Sequence, residues 1–219
     1  EVDCFMRKII KDPAPVFWTD FIHTHPRLQY KDLDGSAEGR MVRQQIREHM
    51  TAQQKYLCCY CCGTIHANNS HNEHVRSRDC YPNLSMDYTN LLVSCTDNTH
   101  SHCGMKKDNA DLPTDFVSPL QDDCEEHFCF YPDGRIDGQT DQGKHTIDYL
   151  GLNDYALVDA RKNLYNACMR MAQYMGKEYV YTSYMQENGQ GVLPRYVDMV
   201  TYFYNRGDFD DDIVNAVSD

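Results

Sequence analysis

The sequence predicts an α+β fold that is mostly helical. Two cysteine clusters bracket two short strand-like segments, near 72–76 and 90–94. Apolar residues recur at helical spacing over 37–57 and again over 154–176. A further helix is expected near 194–205, after a glycine-rich break at 189–191. Few strands and several helices therefore make up the predicted fold.

Length, charge and cysteine content limit the class of protein. The 219 residues suit one large domain or two small ones, and the net charge of −12 argues against a free-standing nucleic-acid binder. Bound cations or a basic partner would offset that charge. The chain has no apolar run of about 18 residues and no signal-peptide pattern at its start. Eleven cysteines in such a chain favour metal ligands and free thiols over disulfides, so we expect a cytoplasmic protein.

The first 57 residues are predicted to form a loop and helices that pack on a core. Prolines at 13 and 15 favour an extended start, and a short helix follows. The apolar positions assigned to the buried faces of these helices are Phe17, Trp18, Phe21, Val42, Ile46, Met50 and Leu57. Arg40, Arg43 and Arg47 lie on other faces of the second helix, where they form either a solvated surface or a phosphate-binding rim.

Residues 58–120 are predicted to hold the core and 121–219 a helical C-terminal region. A helix begins near residue 103, whereas 109–140 looks irregular and contains a Pro-Asp-Gly turn at 132–134. The long helix over 154–176 is expected to start after Asn153 as its N-cap.

The cysteine spacing predicts a structural Zn²⁺ site. Cys58 and Cys61 give one half of a tetrahedral site, and Cys59 with Cys62 is the competing register. Cys95 and Cys103 supply the second half, in which His100 or His102 would be the alternative to one thiolate. The remaining cysteines are expected to be core or incidental positions: Cys4, Cys80, Cys124, Cys129 and Cys168.

Between the cysteine halves lie residues suited to metal-assisted hydrolysis. His74 can act as a general base, because the pKa of imidazole lies near neutrality. The carboxylate of Glu73 would help to hold Mg²⁺, and Asn90 would orient the base. A surface ion pair for Glu73 and His74, and a turn role for Asn90, are the simpler interpretations of the same residues. Adjacent residues of a strand share a site only where the strand ends or bends.

The catalytic ion needs at least one more protein ligand. His102 and Asp108, on the far side of the core, are the candidates. Lys106 and Lys107 would either contact phosphate or form a solvated helix start. With these residues the ion would stabilise the leaving 3′ oxygen of a phosphodiester.

Four motifs follow one another in the central part of the chain: C-C-Y-C, E-H, N-L-L-V-S-C and H-C-G-M-K-K-D. In this order they resemble the HNH endonuclease superfamily with its ββα-metal finger. The flanks M-R-K-I-I-K-D-P-A-P, V-R-Q-Q-I-R, D-G-R-I and H-T-I-D-Y-L-G-L-N resemble PtuB-type HNH proteins of Septu and retron anti-phage systems. One position departs from the pattern: Gly104 stands where many HNH proteins have an Asn or His that binds the catalytic metal.

The resemblance implies roles for individual residues and for partners. It makes His74 the general base, Glu73 the metal-binding acid and Asn90 the central asparagine. Zn²⁺ would be structural, and Mg²⁺ or Mn²⁺ catalytic. It further implies a PtuA-type ATPase partner and, in retron systems, a reverse transcriptase with its non-coding RNA and DNA. The expected function is a metal-dependent endonuclease of an anti-phage complex, acting on DNA or on structured RNA such as tRNA. A non-catalytic zinc-stabilised binding module, or an adaptor that docks an ATPase through its C-terminal helices, is the alternative.

Overall fold

A computed structural model describes residues 6–110, 112–210 and 213–214. Its helices and strands confirm the mixed α+β class. The helices are α1 (Val16–Thr24), α2 (Ala37–Gln53), α3 (Cys103–Lys107), α4 (Asp141–Leu150), α5 (Tyr155–Met175), α6 (Lys177–Tyr184) and α7 (Val197–Asn205). The strands are β1 (Ser70–His74), β2 (Leu91–Cys95), β3 (Phe128–Phe130) and β4 (Ile136–Gly138). Cys4 lies outside the described residues.

Helix α2 begins at a capped end and stops earlier than the sequence suggests. The hydroxyl of Ser36 accepts a hydrogen bond from the backbone of Gly39, which satisfies one of the free amides of the first turn. The helix ends at Gln53 instead of continuing to Leu57. Lys55 and Tyr56 have φ angles of 59° and 62°, and a right-handed helix of L-residues cannot pass through two such residues.

The central segment places two strands and a short helix in sequence. Strands β1 and β2 are antiparallel, with Ser70 opposite Cys95 and His74 opposite Leu91. β1 starts two residues earlier than expected and ends at His74. Helix α3 follows β2, packs against it and has only five residues. The order of elements is therefore β–β–α, with the long loop from 75 to 90 between the strands.

The prediction that 109–140 is irregular is wrong at its C-terminal end. β3 and β4 form an antiparallel hairpin around a turn in which Gly134 has a φ angle of 89°. Strands of three residues are too short to show the alternation that marks a strand in a sequence. Helix α4, which follows this hairpin, lies within the predicted helical region 121–219, although its bounds were not predicted.

The N-cap of α5 is Asp154 and not Asn153. The carboxylate of Asp154 accepts from the backbone amide of Ala156, as an N-cap does. The Asn153 side chain instead bonds both backbone groups of Ile136, at 2.9 and 2.8 Å. It thereby fastens the start of α5 to the edge of β4, a tertiary contact that local spacing does not reveal.

Buried apolar side chains from all three predicted segments meet in one cluster. Trp18, Leu91 and Phe203 are among its fully buried members. The segments 1–57, 58–120 and 121–219 thus share a hydrophobic core. Within the described residues, no helix has both the length and the apolar character to cross a membrane.

Candidate metal centre and catalytic cavity

The side chains of Cys58, Cys61, Cys95 and Cys103 form a cluster of four thiols. Their sulfur atoms all lie within 4.8 Å of one another, and Cys61 Sγ is 3.9 Å from Cys95 Sγ. Four sulfurs around Zn²⁺ at about 2.3 Å would be about 3.8 Å apart. The donor set and its spacing therefore fit a tetrahedral metal ion such as Zn²⁺.

Three elements bring these thiols together. Cys58 and Cys61 lie in the loop after α2, which Leu57 and Thr64 close with an isolated β-bridge. Cys95 ends β2 and Cys103 begins α3. The backbone amides of Gly63 and Cys95 point at sulfur, at 3.4 Å from Cys61 Sγ and 3.3 Å from Cys58 Sγ. Such amides stabilise negative charge on a thiolate.

The thiols of the cluster are unequal in acidity. Burial disfavours ionisation of Cys58, yet hydrogen bonds from Cys103 and its neighbours lower its pKa well below the ordinary value. Burial raises the pKa of Cys103 well above it. Three of the four cysteines are buried and Cys95 is half-buried, so four thiolates at this place would need a compensating cation, which a divalent ion would supply. Cys59 and Cys62 are buried in the same loop but do not belong to the cluster.

Next to this cluster is a cavity of about 350 Å³. Glu73 and His74 both line it. These adjacent residues can share a wall because β1 ends at His74, where the loop begins. The remaining residues of its wall are Tyr30, Arg43, Arg47, His71, Asn72, Ser77, Arg78, His100, Gly104, Met105, Lys107, Asp108 and Asn109. The whole wall, including Glu73, contains four basic side chains (Arg43, Arg47, Arg78 and Lys107) and two carboxylates (Glu73 and Asp108). The cavity is thus locally cationic although the whole chain is strongly acidic.

The two oxygens of Glu73 have different partners. Oε1 accepts from the hydroxyl of Tyr60 at 2.9 Å and pairs with Lys107 Nζ at 2.8 Å. Oε2 lies 3.1 Å from His71 Nε2. Burial alone would raise the pKa of Glu73, but His71 and Lys107 outweigh it and hold this pKa below its usual value. Glu73 is therefore a buried carboxylate that stays ionised and is able to bind a cation.

His74 is held in one tautomer. Its Nε2 lies 3.0 Å from the carbonyl oxygen of Ser85, and because a carbonyl only accepts, Nε2 carries the proton. Nδ1 is then the nitrogen that can take up a proton. Burial lowers the pKa of His74, and the charges of Arg78 and Lys107 act in the same direction. The imidazole is therefore neutral near pH 7, as a general base must be.

Asn90 does not contact His74 directly. Its Oδ1 accepts from the backbone amide of Arg76 at 2.8 Å, and its Nδ2 donates to the carbonyls of Arg76 and Leu84. These bonds brace the loop that presents the carbonyl of Ser85 to His74. Asn90 was expected to orient His74 by direct contact. In the structure it acts on His74 only indirectly, through the loop that carries Ser85.

The two candidates for a further metal ligand lie in different places. His102 Nδ1 is 3.8 Å from Cys95 Sγ, and Nε2 is 3.9 Å from a carboxylate oxygen of Asp97, so this ring belongs to the cysteine side. Asp108 is exposed and lines the cavity. Sequence reasoning did not consider His71, whose imidazole contacts Glu73. The signal was available, because residues 71 and 73 of a strand share one face.

The cationic residues near the cavity are only partly those expected. Arg43 and Arg47 line it, while Arg40 donates to the backbone carbonyl of Asp34. Arg78, which was not singled out, also lines it and forms no salt bridge among the described residues. Lys106 donates to the carbonyl of Asp148 and does not line the cavity, whereas Lys107 reaches Glu73.

The described residues thus form an α+β protein with a four-thiol cluster that could hold a metal ion, beside a cavity lined by a carboxylate, imidazoles and cationic side chains. No family model matches the chain. The chain is similar to a protein of Vibrio cholerae serotype O1 biovar El Tor named "Retron Vc95 putative HNH endonuclease". The two are 32% identical over 133 residues, which cover 55% of this chain and 63% of the relative. The aligned part thus spans less than two thirds of that relative. The name of that relative refers to an HNH endonuclease and does not distinguish the PtuB type from other HNH proteins.

Proposed function

We propose that the protein is a metal-dependent HNH-type endonuclease that hydrolyses phosphodiester bonds of nucleic acid. The observation that carries the proposal is the cavity in which an ionised carboxylate, Glu73, lies beside a neutral imidazole, His74. The β–β–α order and the similarity to the Vibrio cholerae protein support the same reaction class.

In the proposed reaction, His74 removes a proton from a water molecule. Nδ1 accepts this proton while Nε2–H stays bonded to Ser85, so the ring becomes an imidazolium without turning. The hydroxide attacks phosphorus, the bond from phosphorus to the 3′ oxygen breaks, and that oxygen leaves with the electron pair. Asn90 acts as a positioning residue, because it braces the loop that fixes the tautomer of His74.

The chemistry of the cavity wall fits a hard divalent ion. Glu73 offers Oε2, and Mg²⁺ prefers carboxylate oxygen while keeping several waters and substrate phosphate oxygens as ligands. Bound there, Mg²⁺ or Mn²⁺ would supply Lewis-acid stabilisation of the leaving oxygen.

Cationic side chains of the wall are suited to a phosphate backbone. Arg78 has no carboxylate partner among the described residues, and Arg47 donates only to the backbone oxygen of Ser70, at 3.3 Å. Arginine binds phosphate in a bidentate manner when its guanidinium is not already paired. We assign Arg47 and Arg78 to phosphate contacts of this kind, which position a substrate without reading its sequence.

A cleavage assay tests the proposed function. Protein purified with its zinc should nick plasmid DNA or cut structured RNA only after Mg²⁺ or Mn²⁺ is added, because Glu73 needs an ion to act on phosphate. The Glu73→Gln variant should be at least a hundredfold slower, since it removes the ionised ligand. Cleavage by the wild type in excess EDTA, or by Glu73→Gln at the wild-type rate, would contradict the mechanism.

We further propose that the protein works as the nuclease of an anti-phage complex with a PtuA-type ATPase. The net charge of −12 supports a partner that recruits nucleic acid, since contacts of basic side chains with phosphate provide most of the affinity for nucleic acid. In a retron system the complex would include the reverse transcriptase with its RNA and DNA. Affinity purification from a host that carries the whole gene neighbourhood should recover an ATPase at a fixed ratio. Recovery of the chain alone, under conditions that preserve its zinc, would argue against the complex.

The alternative is a non-catalytic zinc-stabilised adaptor in the same complex. It requires the four thiols and leaves Glu73 and His74 without a role. The tautomer of His74, fixed by Ser85, favours the catalytic function over this alternative.

A further inference from the structure

The histidine at position 71 lies opposite Gly104, the position of α3 in the cavity wall that has no side chain. Gly104 directly follows Cys103, and a Cβ atom at position 104 would collide with Glu73 Oε2 and lie 2.8 Å from His71 Nε2. Both of those atoms therefore occupy the space that any larger residue at 104 would fill. The glycine makes room for the His71 imidazole to meet the carboxylate of Glu73.

The His71 ring has a polar partner at only one of its two nitrogens among the described residues. Its Nε2 meets Glu73 Oε2, and its Nδ1 is buried with no hydrogen bond in the described part of the chain. His127, by contrast, has a partner for each ring nitrogen, Thr140 and Asp123. His71 and Glu73 both line the cavity, so their contact lies in its wall.

The separation of the two atoms is that of neighbouring ligands of one ion. Octahedral ligands at about 2.0–2.1 Å from Mg²⁺ are about 2.9 Å apart at neighbouring positions. His71 Nε2 and Glu73 Oε2 are 3.1 Å apart, and Oε2 is free of Lys107 and Tyr60, which contact Oε1. Little movement would be needed for both atoms to bind a shared cation.

We propose that His71 is a protein ligand of the catalytic divalent ion and replaces, from β1, the ligand that α3 lacks at Gly104. This inference rests on the proposed function for the identity of the ion. The positions of His71 and Glu73 are observed independently of that function. The carboxylate of Glu73 is partly neutralised by Lys107. The protein should therefore bind the ion weakly until a substrate phosphate adds its negative charge.

Binding of Mn²⁺ tests the proposal without any cleavage. Electron paramagnetic resonance titration should show affinity at least tenfold weaker for His71→Ala than for the wild type, because a direct ligand is lost. Pulsed measurements on the wild type should detect nitrogen bound directly to Mn²⁺, and this coupling should vanish in His71→Ala.

Matched variants separate this result from a general disturbance of the cavity. His100 lines the same wall and contacts neither Glu73 oxygen, so His100→Ala should bind Mn²⁺ within twofold of wild type. Zinc content and circular dichroism of each variant report whether the fold is kept. Unchanged Mn²⁺ affinity and unchanged nitrogen coupling in His71→Ala would overturn the assignment. So would a tenfold loss in Asp108→Asn with none in His71→Ala, which would identify Asp108 as the ligand.

The outcome is independent of whether the protein cleaves nucleic acid. If Mn²⁺ binds through His71 and no substrate is cut, the endonuclease proposal fails and the ligand assignment stands. If the wild type cuts nucleic acid with Mn²⁺ and His71→Ala binds the ion normally, the ligand assignment alone is wrong. A wild type that binds no Mn²⁺ at this cavity, even with a phosphodiester present, refutes the ligand assignment.

Discussion

Replacement of His74 by alanine should reduce cleavage of nucleic acid by about 10²- to 10⁴-fold, the usual contribution of a general base. The imidazole is neutral because burial lowers its pKa, and Ser85 fixes Nδ1 as the accepting nitrogen. The measurement is the initial rate of plasmid nicking at saturating Mn²⁺.

Loss of a buried side chain can lower activity by unfolding, so the His74 result needs a structural control. His127 is as buried as His74 and contacts the hydroxyl of Thr140. It is not one of the residues that line the cavity. His127→Ala should cost similar stability and keep its cleavage rate per folded molecule. His74→Gln retains a polar group near Ser85 and should be as inactive as the alanine variant. Wild-type rates in folded His74→Ala would remove the imidazole from the mechanism.

Replacement of Cys61 by serine should release zinc and destabilise the fold. A structural Zn²⁺ contributes about 10–16 kcal/mol in small zinc peptides. Because this chain also has a shared hydrophobic core, we expect a loss on the order of 3–5 kcal/mol, which corresponds to about 10 °C in Tm at this length. Elemental analysis should find one zinc in the wild type and substoichiometric zinc in the variant.

The competing cysteine register supplies the control for this prediction. Cys59 and Cys62 are buried in the same loop as Cys61, so serine at either position carries a packing and polarity cost of its own. Both variants should nevertheless retain one zinc, since their thiols lie outside the four-sulfur cluster. Zinc content, rather than Tm, therefore distinguishes the registers. Full zinc in Cys61→Ser with loss in Cys59→Ser or Cys62→Ser would reverse the assignment.

The order of strands, cysteines and long helices could be read from the sequence because these features have local signatures. Four cysteines within five residues mark the loop, and helical spacing marks α2 and α5. The ends of α2 and the cap of α5 could not be read in this way. They depend on the left-handed residues Lys55 and Tyr56 and on the contact of Asn153 with Ile136.

The cavity was harder to predict than the cysteine site because its geometry depends on tertiary structure. Glu73 and His74 share a wall only because β1 ends at His74, and strand ends carry weak sequence signals. The route from Asn90 through Leu84 to Ser85 requires the folded path of the loop after β1. His71, by contrast, follows from strand alternation with Glu73, and its omission was an error of interpretation.

The thiol cluster and the cavity that contains Glu73 meet at two adjacent residues, Cys103 and Gly104. Cys103 belongs to the thiol cluster and Gly104 to the cavity wall, and the amide of Gly104 also donates to the Ser94 hydroxyl that lies beside Cys58. A single peptide bond thus connects the thiol cluster to the wall that faces Glu73. Oxidation of these thiols, or removal of a metal ion that they hold, would therefore disturb the position of Gly104 beside Glu73 without any reagent entering the cavity.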